Sequence, residues 1–158
     1  MQKKLNIWAL IAICYPLGLF PKAPGTVGSL PGLLLGWIAW NIMREDTPSS
    51  PWLAIVLISV VMCFGVYVIY KTEQLWETHD DKSIVIDEVV GQAIVVAFVS
   101  PSILNYFLGF ILFRIFDIWK PGPIRWVDKR WSGPWGTMID DIMAGIVAGF
   151  ILICFQLY

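Results

Sequence analysis

Charged side chains are scarce in this 158-residue sequence, where Asp, Glu, Lys and Arg make up 15%, against about 25% in typical soluble domains. Hydrophobic residues reach 58%, and the mean hydropathy is +0.71. The net charge of −1 and the scatter of basic residues among apolar segments leave no footprint for nucleic acid. The composition therefore predicts a single integral membrane domain over residues 1–158, and no nucleic-acid partner.

Residues for several kinds of catalysis are also missing. His79 is the only histidine, which excludes phosphate chemistry that depends on a pair of histidines. The three cysteines lie in apolar stretches without metal-ligand or redox spacing, and none has the arginine six positions later that cysteine phosphatases need. An Asp-x-Asp-x-Thr element is absent as well. Any phosphate hydrolysis by this chain would therefore depend on a metal ion, with basic residues neutralising charge.

Uncharged apolar stretches fill most of the chain. Their ranges are Leu5 to Pro21, Leu30 to Met43, Trp52 to Tyr70, Val89 to Phe113 and Ile142 to Tyr158. A spanning helix needs about 20 residues, so only the third range fits without borrowing its flanks. Ser100-Pro101-Ser102 divides the fourth range into two helices of a hairpin, because proline crowds the preceding turn. We predict an all-α, polytopic membrane helical bundle with interrupted or re-entrant helices.

Lysine and arginine indicate the topology, because they accumulate in short cytoplasmic loops. In the favoured topology, Leu30 to Met43 crosses outward, Trp52 to Tyr70 returns, the hairpin goes out and back, and Ile142 to Tyr158 exits. Seven basic residues then lie on the cytoplasmic side, namely Lys22, Lys71, Lys82, Lys120, Arg125, Lys129 and Arg130. Only Arg44 is then outside. This arrangement makes Leu5 to Phe20 interfacial or re-entrant, whereas six simple crossings would scatter the positive charges to both sides.

Acidic residues are concentrated at the ends of the apolar stretches. Eight of the twelve fall into two segments, namely Asp80, Asp81, Asp87 and Glu88, then Asp117, Asp128, Asp140 and Asp141. Neighbouring carboxylates raise each other's pKa unless a cation offsets their repulsion, and Mg²⁺ is the usual cation beside phosphate. The alternative is that acidic residues in a first helical turn simply complement the helix dipole. The presence of two such pairs favours metal binding.

Basic residues and a glycine-rich segment are candidates for holding a phosphate. Lys120 and Arg125 bracket the rigid turn Pro121-Gly122-Pro123, which favours a substrate role. Arg114 stands three residues before Asp117, so an internal ion pair is an alternative for it. Lys129 and Arg130 are expected to be headgroup anchors.

The segment from Pro24 to Ser29 offers two glycines, two hydroxyls and backbone N–H groups before a helix. Such a turn can cradle an oxyanion. Alternatively, Thr26 or Ser29 would be the N-cap of the next helix. The segment is not a Walker loop, because no Gly-Lys-Ser/Thr follows it.

Three segments together resemble phosphatidylglycerophosphatase A. They are Pro24 to Leu30 (PGTVGSL), His79 to Gly91 (HDDKSIVIDEVVG) and Phe113 to Gly145 (FRIFDIWKPGPIRWVDKRWSGPWGTMIDDIMAG), about a third of the chain. The resemblance implies a bacterial inner-membrane enzyme that removes the terminal phosphate of phosphatidylglycerophosphate in a Mg²⁺-dependent reaction, giving phosphatidylglycerol. One departure is Gly133-Pro134-Trp135-Gly136, where proline removes an N–H donor from an expected glycine-rich turn.

These observations give a working hypothesis for the site. The expected Mg²⁺ ligands are Asp87, Glu88, Asp117, Asp140 and Asp141. The expected phosphate-binding residues are Gly25, Thr26, Gly28, Ser29, Arg114, Lys120 and Arg125. Asp80 or Asp128 is the expected general base, so the catalytic set is Asp80, Asp87, Glu88, Asp128 and Asp141.

The expected partner is a phospholipid in the bilayer, with the site on the cytoplasmic side, and a homo-oligomer stays open. The alternative function is a small cation transporter or channel with the carboxylates as ion sites.

Overall fold

The computed structural model describes residues 3–44, 50–79 and 81–156 of the chain, and the regular structure of these ranges is helical. The α-helices are α1 (Ile7–Ala12), α2 (Pro24–Gly28), α3 (Leu30–Met43), α4 (Ser50–Trp76), α5 (Ile86–Ala97), α6 (Ile103–Trp119), α7 (Pro123–Arg130) and α8 (Pro134–Gln156), with a short 3-10 helix at Leu17–Leu19. No strand occurs in the described ranges, which confirms the predicted all-α class.

Three helical segments are long and apolar enough to span a bilayer, namely Pro24–Met43, Trp52–Trp76 and Pro134–Phe155. Their lengths of 20, 25 and 22 residues correspond to roughly 30 Å or more at about 1.5 Å per residue, which is the thickness of a hydrocarbon core. Each extends beyond the uncharged stretch from which it was predicted, because its first or last turns carry polar residues. The chain is a polytopic membrane protein.

The predicted interruption of the fourth apolar stretch is confirmed. Helix α5 ends at Ala97 and α6 begins at Ile103, with the Ser100-Pro101-Ser102 segment between them. Ser102 caps α6, since its side chain accepts a hydrogen bond from the backbone N–H of Asn105 at 3.1 Å. The first apolar stretch contains only the six-residue α1 and the 3-10 helix. Neither is long enough to cross a bilayer as a helix, in agreement with the prediction for this stretch.

The glycine-rich segment before α3 differs from the prediction, which placed a turn there. Residues Pro24–Gly28 form α2, and Ser29 has helical backbone angles, so that α2 leads directly into α3. Pro24 occupies the first turn, where its missing N–H is no loss. The N–H groups of Thr26 and Val27 donate to Ala23 O at 3.1 and 3.3 Å, so neither is available to an anion. The break in the chain comes earlier, before Pro24.

Helix α5 is the centre of the bundle. It packs against α3, α4, α6 and α8, and ten of its twelve residues are buried. Glycines at every fourth position of α2 and α3 let this packing become close: a Cβ atom at Gly32 or Gly36 would overlap the backbone of α5, and one at Gly28 would overlap Val85. Small residues at this spacing are a common feature of membrane helix interfaces, where backbone contact replaces hydrophobic driving force.

Replacing Gly32 by Ala should destabilise the protein, because the added Cβ would lie 2.5 Å from Val89 O and 2.7 Å from Gln92 Cβ. Overpacking of this kind costs about 1–3 kcal/mol. The matched control is Gly149→Ala in α8, whose Cβ would make an ordinary contact at 3.4 Å. Melting temperatures in detergent should fall for the first variant only, and equal values for both would contradict the close packing of α3 on α5.

Candidate active site

A polar cavity of about 440 Å³ lies where several helix ends meet. Its wall is formed by the start of α2, the segment before α5, the first turn of α5, the last turn of α6 and the beginning of α8. The predicted topology brings these ends to the same side of the bundle, and the structure gathers them around one space. Polar groups from distant parts of the sequence therefore share a single cavity.

Negative charge dominates this cavity. Six carboxylates line it, namely Asp81, Asp87, Glu88, Asp117, Asp140 and Asp141. The cationic side chains of its wall are Lys82, Arg114 and Lys120. A phosphate monoester carries between about −1.5 and −2 charges at neutral pH. With carboxylates outnumbering cations in the wall, an anionic ligand would be repelled unless a further cation enters with it.

Three of the carboxylates form a cluster. Oxygen atoms of Asp87, Glu88 and Asp141 lie within 4.8 Å of one another, a separation that fits joint coordination of a metal ion. Asp87 and Asp141 are buried and Glu88 is half-buried. One oxygen of each, Oδ1, Oε2 and Oδ2 respectively, is enclosed without a hydrogen-bond partner among the described residues. Buried carboxylate oxygens with no donor are what an oxygen-binding cation requires, so these residues could hold a metal ion.

Dipole complementation accounts for only half of the acidic pairs. Asp87 and Glu88 do lie in the first turn of α5. The uncharged stretch beginning at Ile142 led us to expect Asp140 and Asp141 at a helix start, but α8 begins at Pro134 and has no acidic residue in its first turn. The dipole effect falls off within that turn. It therefore gives no reason for a buried carboxylate at Asp141.

Close approach of two helices creates the cluster. A Cβ at Gly91 of α5 would lie 2.7 Å from the carbonyl oxygen of Asp141, and one at Gly145 of α8 would overlap the carbonyl oxygen of Gly91. Any larger residue at either glycine would push α8 away from α5. The Asp87 and Asp141 carboxylates would then separate.

Arg114 and Asp117 are joined by the ion pair that their spacing suggested, with Nη1 to Oδ2 at 2.6 Å. The guanidinium also lies 3.8 Å from Glu88 Oε1, so it connects the end of α6 to the start of α5. Both members of the pair are largely buried, with side chains 14% and 12% exposed. Asp117 thus lines the cavity but is engaged by Arg114, and it lies outside the three-carboxylate cluster.

Lys120 holds two further carboxylates. Its Nζ donates to Asp128 Oδ1 at 2.6 Å and to Asp140 Oδ2. Burial alone would lower the pKa of Lys120, but the hydrogen bonds to Asp128 and Asp140 outweigh that effect and raise the pKa above its ordinary value. The side chain is therefore a permanent cation at the cavity wall. No sequence pattern predicts the pairing with Asp140, because the two residues are twenty positions apart in the chain.

The expected phosphate-binding residues divide into two groups. Gly25 and Thr26 line the cavity, as do Arg114 and Lys120. A second group comprises Gly28, Ser29 and Arg125, none of which is in the cavity wall. Gly28 packs on Val85, Ser29 is fully buried with its hydroxyl donating to Thr26 O, and Arg125 is exposed on α7.

Of the two candidates for the general base, the structure describes only Asp128. It lines a neighbouring cavity together with His79 and Asp140, and Lys120 Nζ donates to its carboxylate. Asp80 lies outside the described residues. The remaining expected carboxylates, Asp87, Glu88, Asp117, Asp140 and Asp141, all line the main cavity.

Several wall residues were not singled out by sequence reasoning. Asp81 is one, and it is fastened by Lys3, whose Nζ lies 2.6 Å from its carboxylate. Burial would raise the pKa of Asp81, but hydrogen bonds from Lys3 and Ser83 more than offset this and lower it. Lys82 and Thr137 also reach the cavity. Asp81 belongs to the first acidic segment, a signal that could have identified it, whereas Lys82 and Thr137 are single polar residues without such a pattern.

Comparison with known proteins agrees with the resemblance noted above. The model of the family described as phosphatidylglycerophosphatase A matches residues 10–156. The chain belongs to the phosphatidylglycerophosphatase A family.

Relatives of similar length support this membership. A protein named phosphatidylglycerophosphatase A from Escherichia coli is 38% identical over 152 residues, 95% of this chain and 84% of the relative. One with the same name from Haemophilus influenzae is 39% identical over 155 residues, covering 96% and 90%. A third, from Bacteroides thetaiotaomicron, bears the provisional name phosphatidylinositol-3-phosphatase and is 35% identical over 156 residues, covering 97% and 95%. No solved structure matches the chain.

Membership in the phosphatidylglycerophosphatase A family makes the chain an enzyme, a phosphoric monoester hydrolase. The alternative of a cation transporter or channel has no support of this kind. The charged cavity at the helix ends is accordingly a candidate active site.

Replacing Lys120 by Met should lower the melting temperature, because Asp140 would stay buried without its cation. An unsatisfied buried polar group costs about 1–3 kcal/mol. Since the pKa of Lys120 is raised on folding, its contribution is fully present below the ordinary lysine value of about 10.4 and is lost only as the pH rises through the higher folded value. The loss of stability in the variant should therefore still be present in full at about pH 9.

The exposed Lys129 provides the control for this experiment. Lys129→Met should leave the melting temperature unchanged, and adding Asp140→Asn to Lys120→Met should recover part of the loss. Equal melting temperatures for wild type and Lys120→Met would contradict a stabilising role for this ion pair.

Proposed function

We propose that this chain is a Mg²⁺-dependent lipid phosphatase that hydrolyses phosphatidylglycerophosphate to phosphatidylglycerol and inorganic phosphate, in phosphatidylglycerol biosynthesis. The substrate follows from the names of the Escherichia coli and Haemophilus influenzae relatives. The proposed location is the bacterial inner membrane. The active-site cavity would face the cytoplasm, since seven of the lysines and arginines then lie on the cytoplasmic side, where these residues accumulate in short loops.

One observation carries the proposal. A buried carboxylate cluster with unpartnered oxygens lies in the same cavity as Arg114 and Lys120, at the ends of apolar helices. Such a cavity provides oxygen ligands for a hard cation, donors for phosphate oxygens, and a position at the boundary of the bilayer. These are the requirements for hydrolysing a phosphate on a membrane lipid.

The cluster carboxylates of Asp87, Glu88 and Asp141 would hold the metal ion. When bound, Mg²⁺ supplies a Lewis acid beside the phosphate and cancels repulsion between the carboxylates and the substrate. Asp117 and Asp140, the other expected ligands, would instead keep Arg114 and Lys120 in place, because each forms an ion pair with one of these cations.

Arg114 and Lys120 would bind the phosphate oxygens. Arg114 has five N–H donors in a planar fork, so it can keep Asp117 and still donate to a phosphate. Catalysis of phosphoryl transfer is mostly positioning and charge stabilisation, and a cation fixed by two carboxylates, as Lys120 is, needs no reorganisation.

Gly25 and Thr26 border the same space. A Cβ at Gly25 would overlap Glu88 Oε1, so glycine there leaves room for the carboxylate to turn towards the metal.

The general base is proposed to be Asp80 or Asp128. Asp128 is held by Lys120 next to Asp140 and is 39% exposed, so water reaches it. In this role it would accept a proton from the attacking water during hydrolysis.

Replacing Asp141 by Asn should lower kcat/KM for phosphatidylglycerophosphate by at least about a hundredfold, because a metal ligand is lost. The measurement is phosphate release by detergent-purified protein over a range of Mg²⁺ concentrations. Phosphatidylinositol 3-phosphate belongs in the same assay, since the third relative is named for that lipid. A preference for it would replace the proposed substrate but keep the cavity chemistry.

Binding of Mg²⁺ should also be visible without turnover. A ligand that binds only the folded protein at about 100 times its Kd adds about 2.7 kcal/mol of stability, so Mg²⁺ should raise the melting temperature of wild type. Asp141→Asn should remove this shift while raising the melting temperature in metal-free buffer, since it relieves repulsion in the cluster. Glu77→Gln, an exposed control, should change neither value. A full Mg²⁺ shift in Asp141→Asn would refute the assignment.

Replacing Arg114 by Lys tests the proposed phosphate contact. Lysine keeps the charge but cannot donate in parallel to Asp117 and a phosphate. We expect kcat/KM to fall about 10²–10³-fold, as when one donor to a developing charge is lost, with the Mg²⁺-induced melting shift preserved. Arg125→Lys, on exposed α7, is the matched control and should retain wild-type activity. A larger loss in Arg125→Lys than in Arg114→Lys would reverse the two assignments.

A further inference from the structure

An apolar groove of about 430 Å³ runs along α6 beside the active-site cavity. One face of the helix carries Ile111, Ile115 and Ile118, which are spaced four and three positions apart. Their exposed fractions are 39%, 47% and 70%. Phe110 and Trp119 complete the α6 wall of the groove, and Thr26 of α2 lies in the opposite wall. Its volume is within the range of about 300–1,000 Å³ that small-molecule sites have.

The groove and the polar cavity are continuous. Thr26, Arg114 and Ile118 line both spaces. Among the described residues, α2 packs on α3, α5 and the 3-10 helix, whereas α6 packs on α5 and α8. The cleft between α2 and α6 is thus left open. An amphiphile lying across it would have its polar end among charges and its apolar end against isoleucines.

We propose that this groove binds the glycerol-proximal part of the acyl chains of the lipid phosphate, so that the substrate moves sideways from the bilayer into the cavity between α2 and α6. The inference rests on the proposed function. The occupant is a phospholipid chain because the groove opens at Arg114, where the proposed phosphate contact lies, and its wall beyond that point is apolar.

The groove would act by orientation. Lipid tails are as apolar as isoleucine, so moving a chain from the bilayer into the groove provides little hydrophobic driving force. Fixing the first carbons of the chains would instead fix the position of the phosphate relative to Arg114. Small misplacements of a reacting group cost large factors in rate. Blocking the groove should therefore reduce turnover of long-chain lipid.

The test compares Ile115→Trp with Ile146→Trp. Ile146 lies on α8 outside this groove and is 55% exposed, close to the 47% of Ile115. Each protein is assayed with dioleoyl phosphatidylglycerophosphate and with its deacylated form, glycerophosphoglycerophosphate, which has the same phosphate but no acyl chain. For Ile115→Trp, kcat/KM for the dioleoyl lipid should fall at least about tenfold relative to the deacylated substrate. For Ile146→Trp this ratio should equal the wild-type ratio.

Other outcomes are equally informative. Equal ratios in both variants would overturn the groove while leaving the proposed function intact, and so would a loss in Ile115→Trp that is the same for the dioleoyl and the deacylated substrate. Wild-type protein that releases phosphate from neither substrate would overturn the proposed function, and the groove with it. Ile111→Trp, one turn further from the cavity, takes the place of Ile115→Trp if the latter does not fold, and the same ratio decides.

Discussion

Everything proposed for this enzyme depends on the contact between α5 and α8. Gly91 and Gly145 bring the two backbones so close that a single added Cβ would separate them. Because Asp87 and Glu88 stand one turn before Gly91 and Asp141 one turn before Gly145, this contact also sets the spacing of the carboxylate cluster. The distance between the carboxylates therefore depends on the absence of a Cβ atom at Gly91 and Gly145.

The same contact makes the cluster unfavourable on its own. Two unit charges about 4.8 Å apart repel by roughly 3 kcal/mol at an effective dielectric constant of 20. Three carboxylates cannot relax apart, since their backbones are held by helix packing. The apolar interfaces around α5 offset this loss of stability, and a bound cation would remove the repulsion between the carboxylates. Metal affinity in this family would therefore depend on residues such as Gly91 that carry no charge.

Sequence patterns predicted local features well and spatial pairings poorly. The Ser100-Pro101-Ser102 break, the all-α class and the ion pair of Arg114 with Asp117 all follow from short-range rules on proline, hydropathy and helical spacing. The pairing of Lys120 with Asp140 does not, because it depends on how the chain turns around α7. The segment starting at Pro24 was predicted to be a turn because it is rich in proline and glycine. Gly28 is instead the first of three glycines, with Gly32 and Gly36, whose spacing of four residues is a helix-packing pattern.

Helix α6 explains how one short chain could bind a substrate that has both a charged and an apolar part. Arg114 and Asp117 lie on the side of the helix that meets α5 and the cavity, and the isoleucine face lies next to it. A rotation of about 100° per residue places both faces within a single turn. Charge and hydrocarbon are then adjacent at one level of the bundle. A lipid phosphate meets the same arrangement at the surface of its own bilayer, so the enzyme would reproduce that boundary, and the carboxylate cluster would add a cation to it.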